Sequence, residues 1–161
     1  MKKVLYLHGL ESGQGGPKVD YLADNCFVHA PEMDYTRKDI FPYLIQMMED
    51  FDPDLIIGSS MGGYAAYMLS GFYGTPIIAF NPALHSRKFN PKFPNKVQTY
   101  YPSKAKIILG EEDTVIDPKQ TIRFITDHIS NGLPQINIEN INGMGHRVPL
   151  DIFINKIQNE L

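Results

Sequence analysis

Cysteine is almost missing from this sequence: Cys26 is the only one among 161 residues. One thiol cannot form a disulfide within the chain, and it cannot build a metal site made of several cysteines. A low cysteine content is also typical of proteins from a reducing compartment. The sequence therefore predicts a fold without cross-links, in keeping with a cytoplasmic location.

The sequence also lacks an excess of positive charge and a long apolar run. Its formal net charge of −3 provides no basic field for a polyanion, so we expect no nucleic-acid partner. The apolar run after Lys2 and Lys3 ends at His8. A secretory signal needs about seven or more consecutive apolar residues, and a membrane span needs about 20. We therefore expect no signal peptide, no membrane partner and a cytoplasmic protein.

Short apolar runs alternate with segments of helical period through most of the sequence. Hydrophobic residues make up 43% and charged residues 20%, an ordinary globular composition, and the length fits one domain over 1–161. The apolar runs predict strands at 4–8, 26–30, 55–59, 76–80, 106–110 and 135–141. The other segments predict helices at 17–25, 36–51, 61–73, from Pro118 to a stop at Asn131-Gly132, and 148–161.

The character of the strands and their order predict the fold class. The first, third, fourth and fifth runs show no apolar–polar alternation, which is typical of strands buried on both faces of a parallel sheet. Repeated strand–helix–strand units then predict an α/β fold: a doubly wound, mostly parallel six-stranded sheet with helices on both faces. A capping box from Thr36 to Asp39 is expected to open the second helix, and Asp117 to cap the fourth.

One stretch, residues 82–102, departs from this rhythm. It contains four prolines and no acidic residue, and its basic side chains include Arg87 and Lys88. We interpret it as an irregular loop insertion within the single domain, positioned after the fourth strand, where open α/β sheets bind ligands. Its basic residues form either a solvated face or a surface that attracts anionic acyl substrates.

The segment Gly58-Ser59-Ser60-Met61-Gly62 follows a predicted strand and precedes a predicted helix. Gly58, Ser60 and Gly62 form a G-x-S-x-G pattern, in which a sharp turn projects the central hydroxyl above the sheet and small flanking residues let strand and helix approach. Ser59 does not fit this pattern, because its flanking positions are Ile57 and Met61. Ser60 is therefore the candidate nucleophile, with Gly58 and Gly62 as structural glycines of the elbow. A phosphate-binding loop is disfavoured, since no lysine follows the glycines.

A serine nucleophile requires a base and an acid that orients the base, and in this geometry they follow in the order acid, then histidine. Asp113 and His146 follow predicted strands in that order, so both are expected at the same edge of the sheet as Ser60. Four carboxylates compete for the acid role within seven residues. Asp117 has a sufficient role as a helix cap, and Glu111 and Glu112 lie nearer the end of the strand. We favour Asp113 because of its position in the loop and because of the family resemblance given below.

An acyl-transfer intermediate also needs backbone donors for its oxyanion. The N–H of Met61, directly after the nucleophile, is one candidate. The second is expected in the loop after the first strand, where we favour the N–H of Leu10. His8, in the same segment, is expected to brace this loop rather than transfer protons.

Five segments in order, "LYLHGLESGQGGPK", "GSSMGGYAAYML", "NPAL", "GEEDTVID" and "GMGHR", resemble the α/β-hydrolase superfamily, and more closely its small YqiA-like esterase branch. The resemblance runs from residue 4 to about 148. It implies a minimal sheet without a cap domain, and an acyl hydrolase that uses Ser60, Asp113 and His146 with Leu10 and Met61 as backbone donors. It also implies that the protein needs no cofactor.

These observations predict a serine hydrolase that cleaves short-chain carboxylic esters, with a small-molecule ester as its partner. A thioesterase or small peptidase of the same fold, or a non-catalytic module that binds a ligand or a protein, remains the alternative. We expect no metal site, because His29, His85 and His128 show no ligand spacing with each other or with carboxylates. The oligomeric state does not follow from the sequence.

Overall fold

Within the residues that the structure describes, six parallel strands form one open sheet. The structure is a computed structural model, and it describes residues 1–93, 102, 104–128 and 135–161. Its strands are Lys3–Leu7 (β1), Phe27–His29 (β2), Leu55–Ser59 (β3), Ile77–Phe80 (β4), Lys104–Gly110 (β5) and Gln135–Ile141 (β6). Its helices are Pro17–Asn25 (α1), Ile40–Phe51 (α2), Met61–Tyr73 (α3), Pro118–His128 (α4) and Leu150–Ile157 (α5), with a 3-10 turn at Gln158–Glu160.

The order of the strands in the sheet is β2-β1-β3-β4-β5-β6, and every neighbouring pair is parallel. The chain passes from β1 outward to β2 and then returns past β1 to β3. Between β1 and β3, where Leu7 pairs with Gly58, the connections therefore leave in opposite directions. Open α/β sheets bind ligands at the carboxyl ends of strands at such a switch point.

Each face of the sheet carries its own hydrophobic layer, because side chains alternate along a strand. On β1, Leu5 and Leu7 belong to one layer, whereas Val4 and Tyr6 belong to the other. Helices α2, α3 and α4 pack in the first layer, and α1 and α5 pack in the second. Helices therefore cover both faces, and the predicted doubly wound α/β class is confirmed.

Burial along the strands follows their position in the sheet. β3 and β4 lie inside the sheet and are buried almost throughout, as are four residues of β1, so their lack of alternation has the predicted cause. β6 is an edge strand, and its residues alternate between exposed and half-buried for most of its length. No cap domain is present among the described residues.

The start of the second helix differs from the prediction. The helix begins at Ile40, and no capping box forms at Thr36. The Asp34 carboxylate accepts hydrogen bonds from both the backbone N–H and the hydroxyl of Thr36, and Arg37 pairs with Asp39. These short-range polar bonds form a turn with the same groups that a capping box would use.

Other predicted boundaries differ by one or two residues. The first strand begins at Lys3 and ends before His8, and the last α-helix begins at Leu150 and gives way to the 3-10 turn. Asp117 caps α4 as predicted, because its Oδ1 accepts a hydrogen bond from the N–H of Lys119 at 2.9 Å. The stop predicted at Asn131-Gly132 lies outside the described residues.

The predicted loop insertion at 82–102 is described only in part. Residues 82–93 form neither helix nor strand. Most of the remainder lies outside the described residues, so the extent of the insertion stays a prediction. Among the helices that are described, none combines the length and the apolar character needed to cross a membrane.

Replacing Phe153 by alanine should destabilise the fold, because this ring joins α5 to the sheet. Phe153 is 1% exposed, and its ring centroid lies 5.3 Å from that of Phe80 and 6.0 Å from that of Tyr6. We expect Phe153→Ala to lower the free energy of unfolding by about 3–5 kcal/mol in urea denaturation. The matched control is Phe27→Ala on β2, where the ring is 61% exposed and the loss should stay below about 1 kcal/mol. Equal losses from the two variants would contradict this account of the core.

Candidate active site

The turn between β3 and α3 holds Ser60 in an uncommon backbone conformation. Its φ is 54° and its ψ is −115°, a region that costs a non-glycine residue about 1–3 kcal/mol. Backbone hydrogen bonds hold the turn: the N–H of Ser60 donates to the Phe80 carbonyl, and the Ser60 carbonyl accepts from the N–H groups of Tyr64 and Ala83. The Ser60 side chain makes no capping hydrogen bond to α3, so its hydroxyl is available to another partner.

The two glycines of the elbow lie where a side chain has no room. A Cβ on Gly58 would meet the Gly62 carbonyl oxygen at 2.3 Å, and a Cβ on Gly62 would meet the Leu7 carbonyl oxygen at 1.9 Å. Both contacts are with backbone atoms, which cannot rotate away. The first turn of α3 therefore rests directly on the end of β1, and this contact requires glycine.

Ser60, His146 and Asp113 are brought together by three different loops at the carboxyl edge of the sheet. His146 Nε2 lies 3.1 Å from Ser60 Oγ, and His146 Nδ1 lies 2.7 Å from Asp113 Oδ2. An ionised carboxylate only accepts hydrogen bonds, so the Nδ1 nitrogen must carry the proton. In the neutral ring the Nε2 lone pair then faces the serine hydroxyl, which can donate to it.

The Asp113 carboxylate is fixed by its own loop. Its side chain is fully buried, and Oδ1 accepts backbone hydrogen bonds from Val115 and Ile116, each at 2.8 Å. The other oxygen is left for His146. Glu111 and Glu112 are exposed. The Asp117 carboxylate accepts a hydrogen bond from the Lys119 N–H at the start of α4, and this bond is the main cause that lowers the pKa of Asp117. Among the competing carboxylates, Asp113 is thus the one in contact with the imidazole.

The two candidate oxyanion donors flank the serine. Met61 is the first residue of α3, where N–H groups have no partner within the helix. Leu10 follows Gly9, whose added Cβ would lie 3.3 Å from the Ser60 Cβ, so this backbone passes close to the hydroxyl. Leu10 and Met61 both line the cavity above Ser60. The oxyanion role of their N–H groups stays a prediction.

His8 braces the loop that carries Leu10. Its ring is buried, its Nε2 accepts a hydrogen bond from the Met33 N–H at 2.9 Å, and its Nδ1 lies 2.7 Å from the Gly9 carbonyl oxygen. Since Nε2 accepts, Nδ1 carries the proton and donates to Gly9. Tyr35 adds a hydrogen bond from its hydroxyl to the His8 carbonyl. With both ring nitrogens bonded to backbone, this histidine holds the loop in place.

Asn81 is a site residue for which the sequence analysis proposed no role. It follows β4 with φ at 43°, and its side chain joins two loops of the site. Its Nδ2 donates to the carbonyls of Gly145 and His146 at 3.0 Å each, while its Oδ1 accepts from the Gly110 N–H at 2.8 Å. Asn81 therefore ties the His146 loop to the end of β5, three residues before Asp113. The sequence signal that could have identified Asn81 is an asparagine directly after a buried strand. Asparagine tolerates a positive φ, so it is typical of a tight turn at such a position.

A cavity of about 260 Å³ opens above the serine and the imidazole. Loops from five strands contribute to its wall: Leu10 after β1, Met61 after β3, Ala83 after β4, Ile116 after β5 and Arg147 after β6. The cavity therefore lies at the carboxyl edge of the sheet, as the switch point predicts.

The sequence matches a known family model over residues 3–120, and that model describes an uncharacterised protein family, UPF0227. The match covers more than half of the chain. It includes Ser60 and Asp113 and ends before His146.

Solved structures share this fold at low sequence identity. A candidate hydrolase of the α/β superfamily from Xanthomonas campestris pv. campestris aligns over 98% of each chain, with 17% identity and a TM-score of 0.67. An α/β serine hydrolase without lid from Xanthomonas campestris aligns over 99% of this chain and 82% of its own, with 15% identity and a TM-score of 0.58. A monoacylglycerol lipase from Paleococcus ferrophilus aligns over 90% and 86%, with 13% identity and a TM-score of 0.66. The likeness confirms the α/β-hydrolase fold.

Replacing Asn81 by aspartate should destabilise the site loops, although the two side chains have the same shape and both tolerate the backbone angle. The new oxygen would face the carbonyls of Gly145 and His146 in place of an N–H donor. We expect Asn81→Asp to lower the free energy of unfolding by about 2–4 kcal/mol at pH 7, measured in urea. The same change at exposed Asn25, whose Nδ2 bonds to the Tyr21 carbonyl, is the control and should cost no more than about 1 kcal/mol. A mild effect at position 81 would show that the loops do not depend on this clamp.

Proposed function

Because this chain belongs to the uncharacterised protein family UPF0227 and has the α/β-hydrolase fold, we propose that it is a serine hydrolase that cleaves short-chain carboxylic esters. One observation carries the proposal: the hydrogen-bonded chain from the Asp113 carboxylate through the His146 ring to the Ser60 hydroxyl. A buried carboxylate, an imidazole and a serine in this order form the arrangement that activates a hydroxyl for acyl transfer.

The first half of the proposed reaction forms an acyl-enzyme. Ser60 Oγ attacks the acyl carbon while its proton passes to His146 Nε2, and the negative charge of Asp113 stabilises the imidazolium. The carbonyl oxygen becomes an oxyanion that accepts hydrogen bonds from the N–H groups of Leu10 and Met61. Collapse of this intermediate breaks the bond to the alcohol oxygen, which leaves with the proton from His146.

The second half of the reaction releases the acid. Water enters next to His146 and gives a proton to Nε2 as its oxygen bonds to the acyl carbon. The same backbone donors bind the second oxyanion. When the bond between the acyl carbon and Ser60 Oγ breaks, His146 returns the proton to the serine, so the enzyme is restored and no cofactor takes part.

The size and openness of the site support short esters. The cavity has a volume of about 260 Å³, and no cap domain covers it in the described part of the chain. A long acyl chain needs a deeper apolar wall to remove it from water. Thioesters and amides present the same acyl carbon to Ser60. Turnover of a panel of esters, thioesters and amides therefore measures which leaving group the site prefers.

Replacing Ser60 by alanine should abolish the activity without changing the fold. We expect turnover of 4-nitrophenyl butyrate to fall by at least about 10⁴-fold, and labelling by a fluorophosphonate probe to disappear, because both need the serine oxygen. Thr126→Ala, which removes a hydroxyl from the exposed face of α4, is the control and should keep both signals. Circular dichroism should be the same for all three proteins. A folded wild-type protein that neither labels nor turns over esters or thioesters would instead indicate a non-catalytic binding module.

Replacing Asp113 by asparagine tests the role of the carboxylate apart from its shape. The asparagine amide oxygen can still accept hydrogen bonds from the N–H groups of Val115 and Ile116. Its NH₂ group then faces His146 Nδ1 as a donor, in place of the charged acceptor. The wrong imidazole tautomer is then favoured, and we expect kcat to fall by about 10⁴-fold with little change in KM. The control is Asp127→Asn on α4, where the carboxylate is 64% exposed and, among the described residues, forms a salt bridge with Arg123. A loss below tenfold at position 113 would assign the acid role to another group.

A further inference from the structure

The wall of the cavity above Ser60 has an excess of positive charge. Four cationic side chains line it, and Glu11 is the only carboxylate among its described lining residues. The chain as a whole has a formal net charge of −3, so the excess is local to this cavity. The four cations are Lys18, Arg87, Lys88 and Arg147.

Lys18 and Arg147 are two cations of this wall that lie near each other. Lys18 lies in the first turn of α1 and is half-buried, with its Nζ 5.4 Å from the centre of the Phe153 ring. Burial, and then repulsion from Arg147, lower the pKa of Lys18. Neither cation forms a salt bridge with a carboxylate of the described residues. Two like charges beside each other without a counter-charge destabilise a fold, and a bound anion relieves this cost.

Arg87 adds positive charge from the loop after β4. Its guanidinium lies 4.1 Å from the centre of the Tyr64 ring, and its Nη1 donates to the carbonyls of Ala83 and Leu84. These contacts hold the side chain without neutralising it, because carbonyls and aromatic rings carry no net charge. The cavity is therefore positive on two sides of the serine.

We propose that the site is specific for esters that carry an oxyanion, a carboxylate or a phosphate, close to the scissile carbonyl, and that Lys18 and Arg147 bind this group. The proposal rests on the hydrolase function proposed above and adds the substrate class. Arg147 directly follows His146, and Lys18 lines the same small cavity, so the bound anion would lie within a few bonds of the acyl carbon. The guanidinium of Arg147 can donate to two oxygens of such a group at once, and the ammonium of Lys18 can add a further hydrogen bond to one of these oxygens or to a third oxygen of a phosphate.

Two matched substrate pairs test the proposal and identify which half of the ester carries the charge. For the acyl half, we compare 4-nitrophenyl hydrogen glutarate with neutral 4-nitrophenyl pentanoate. For the alcohol half, we compare 4-acetoxybenzoate with neutral 4-acetoxybenzamide. In one of these pairs we expect kcat/KM to be at least about 10-fold higher for the anionic ester than for the neutral ester. A factor of this size corresponds to the free energy of one charge-assisted hydrogen bond. The preference should shrink as salt rises from 50 to ~500 mM, because exposed charges are screened.

Substitutions assign the preference to the two side chains. Lys18→Met and Arg147→Met keep apolar volume and remove the charge, and each should lower the ratio of anionic to neutral kcat/KM by about 10-fold. Lys119→Met and Arg123→Met on α4 are the matched controls, because they remove the same charges outside the cavity. These controls should leave the ratio unchanged. A ratio near one in the wild type, or an equal change in all four variants, would overturn the proposal.

A binding measurement separates this proposal from the hydrolase function. We titrate glutarate, neutral pentanamide and inorganic phosphate into the Ser60→Ala variant by calorimetry, which needs no turnover. Tighter binding of glutarate or phosphate than of pentanamide, lost when Lys18 and Arg147 are also replaced by methionine, supports the anion site even if no ester is cleaved. The anion that binds more tightly shows whether the site prefers a carboxylate or a phosphate. Absence of any preference overturns the site, while turnover of neutral esters would still support the hydrolase.

Discussion

The contact between the first turn of α3 and the end of β1 is the constraint on which the site depends. A Cβ on Gly62 would lie 1.9 Å from the Leu7 carbonyl oxygen, so helix and strand meet backbone to backbone. This approach forces the chain to turn within one residue, and Ser60 takes the positive φ that such a turn requires. The strain is held by hydrogen bonds from the neighbouring strand loop, and the hydroxyl projects into the cavity rather than capping the helix.

The parallel sheet positions the other residues of the candidate site. Because all its described strands end at one edge, the loops after β1, β3, β5 and β6 deliver Leu10, Ser60, Asp113 and His146 to one place. Two further side chains fix these loops from below: His8 bonds to backbone on both ring nitrogens, and Asn81 ties the His146 loop to the end of β5. The groups of the candidate site are therefore held by rigid elements and short bonds, as the proposed acyl transfer would require.

The proposed activity and the proposed specificity use different features of the same cavity. The hydrogen-bonded chain from Asp113 to Ser60 concerns the acyl carbon, which every ester shares. The cations Lys18 and Arg147 would contact the rest of the substrate, and they belong to a local excess of positive charge in a chain whose formal net charge is −3. Electrostatic attraction of this kind raises the rate of encounter as well as the affinity for an anionic substrate.

The sequence by itself determined the class of fold and pointed to Ser60 as the candidate nucleophile, because buried parallel strands and a glycine-flanked serine leave local patterns. It could not determine the start of α2, where Asp34 and Arg37 form polar bonds that compete with a capping box. It could not choose among Glu111, Glu112, Asp113 and Asp117 by spacing alone. Only the tertiary structure brought His146 to one of them, and only it joined Lys18, Asn81 and Arg147 to the site. Those contacts span large separations in the chain, and no local pattern encodes the distance between two side chains that meet only after the sheet has formed.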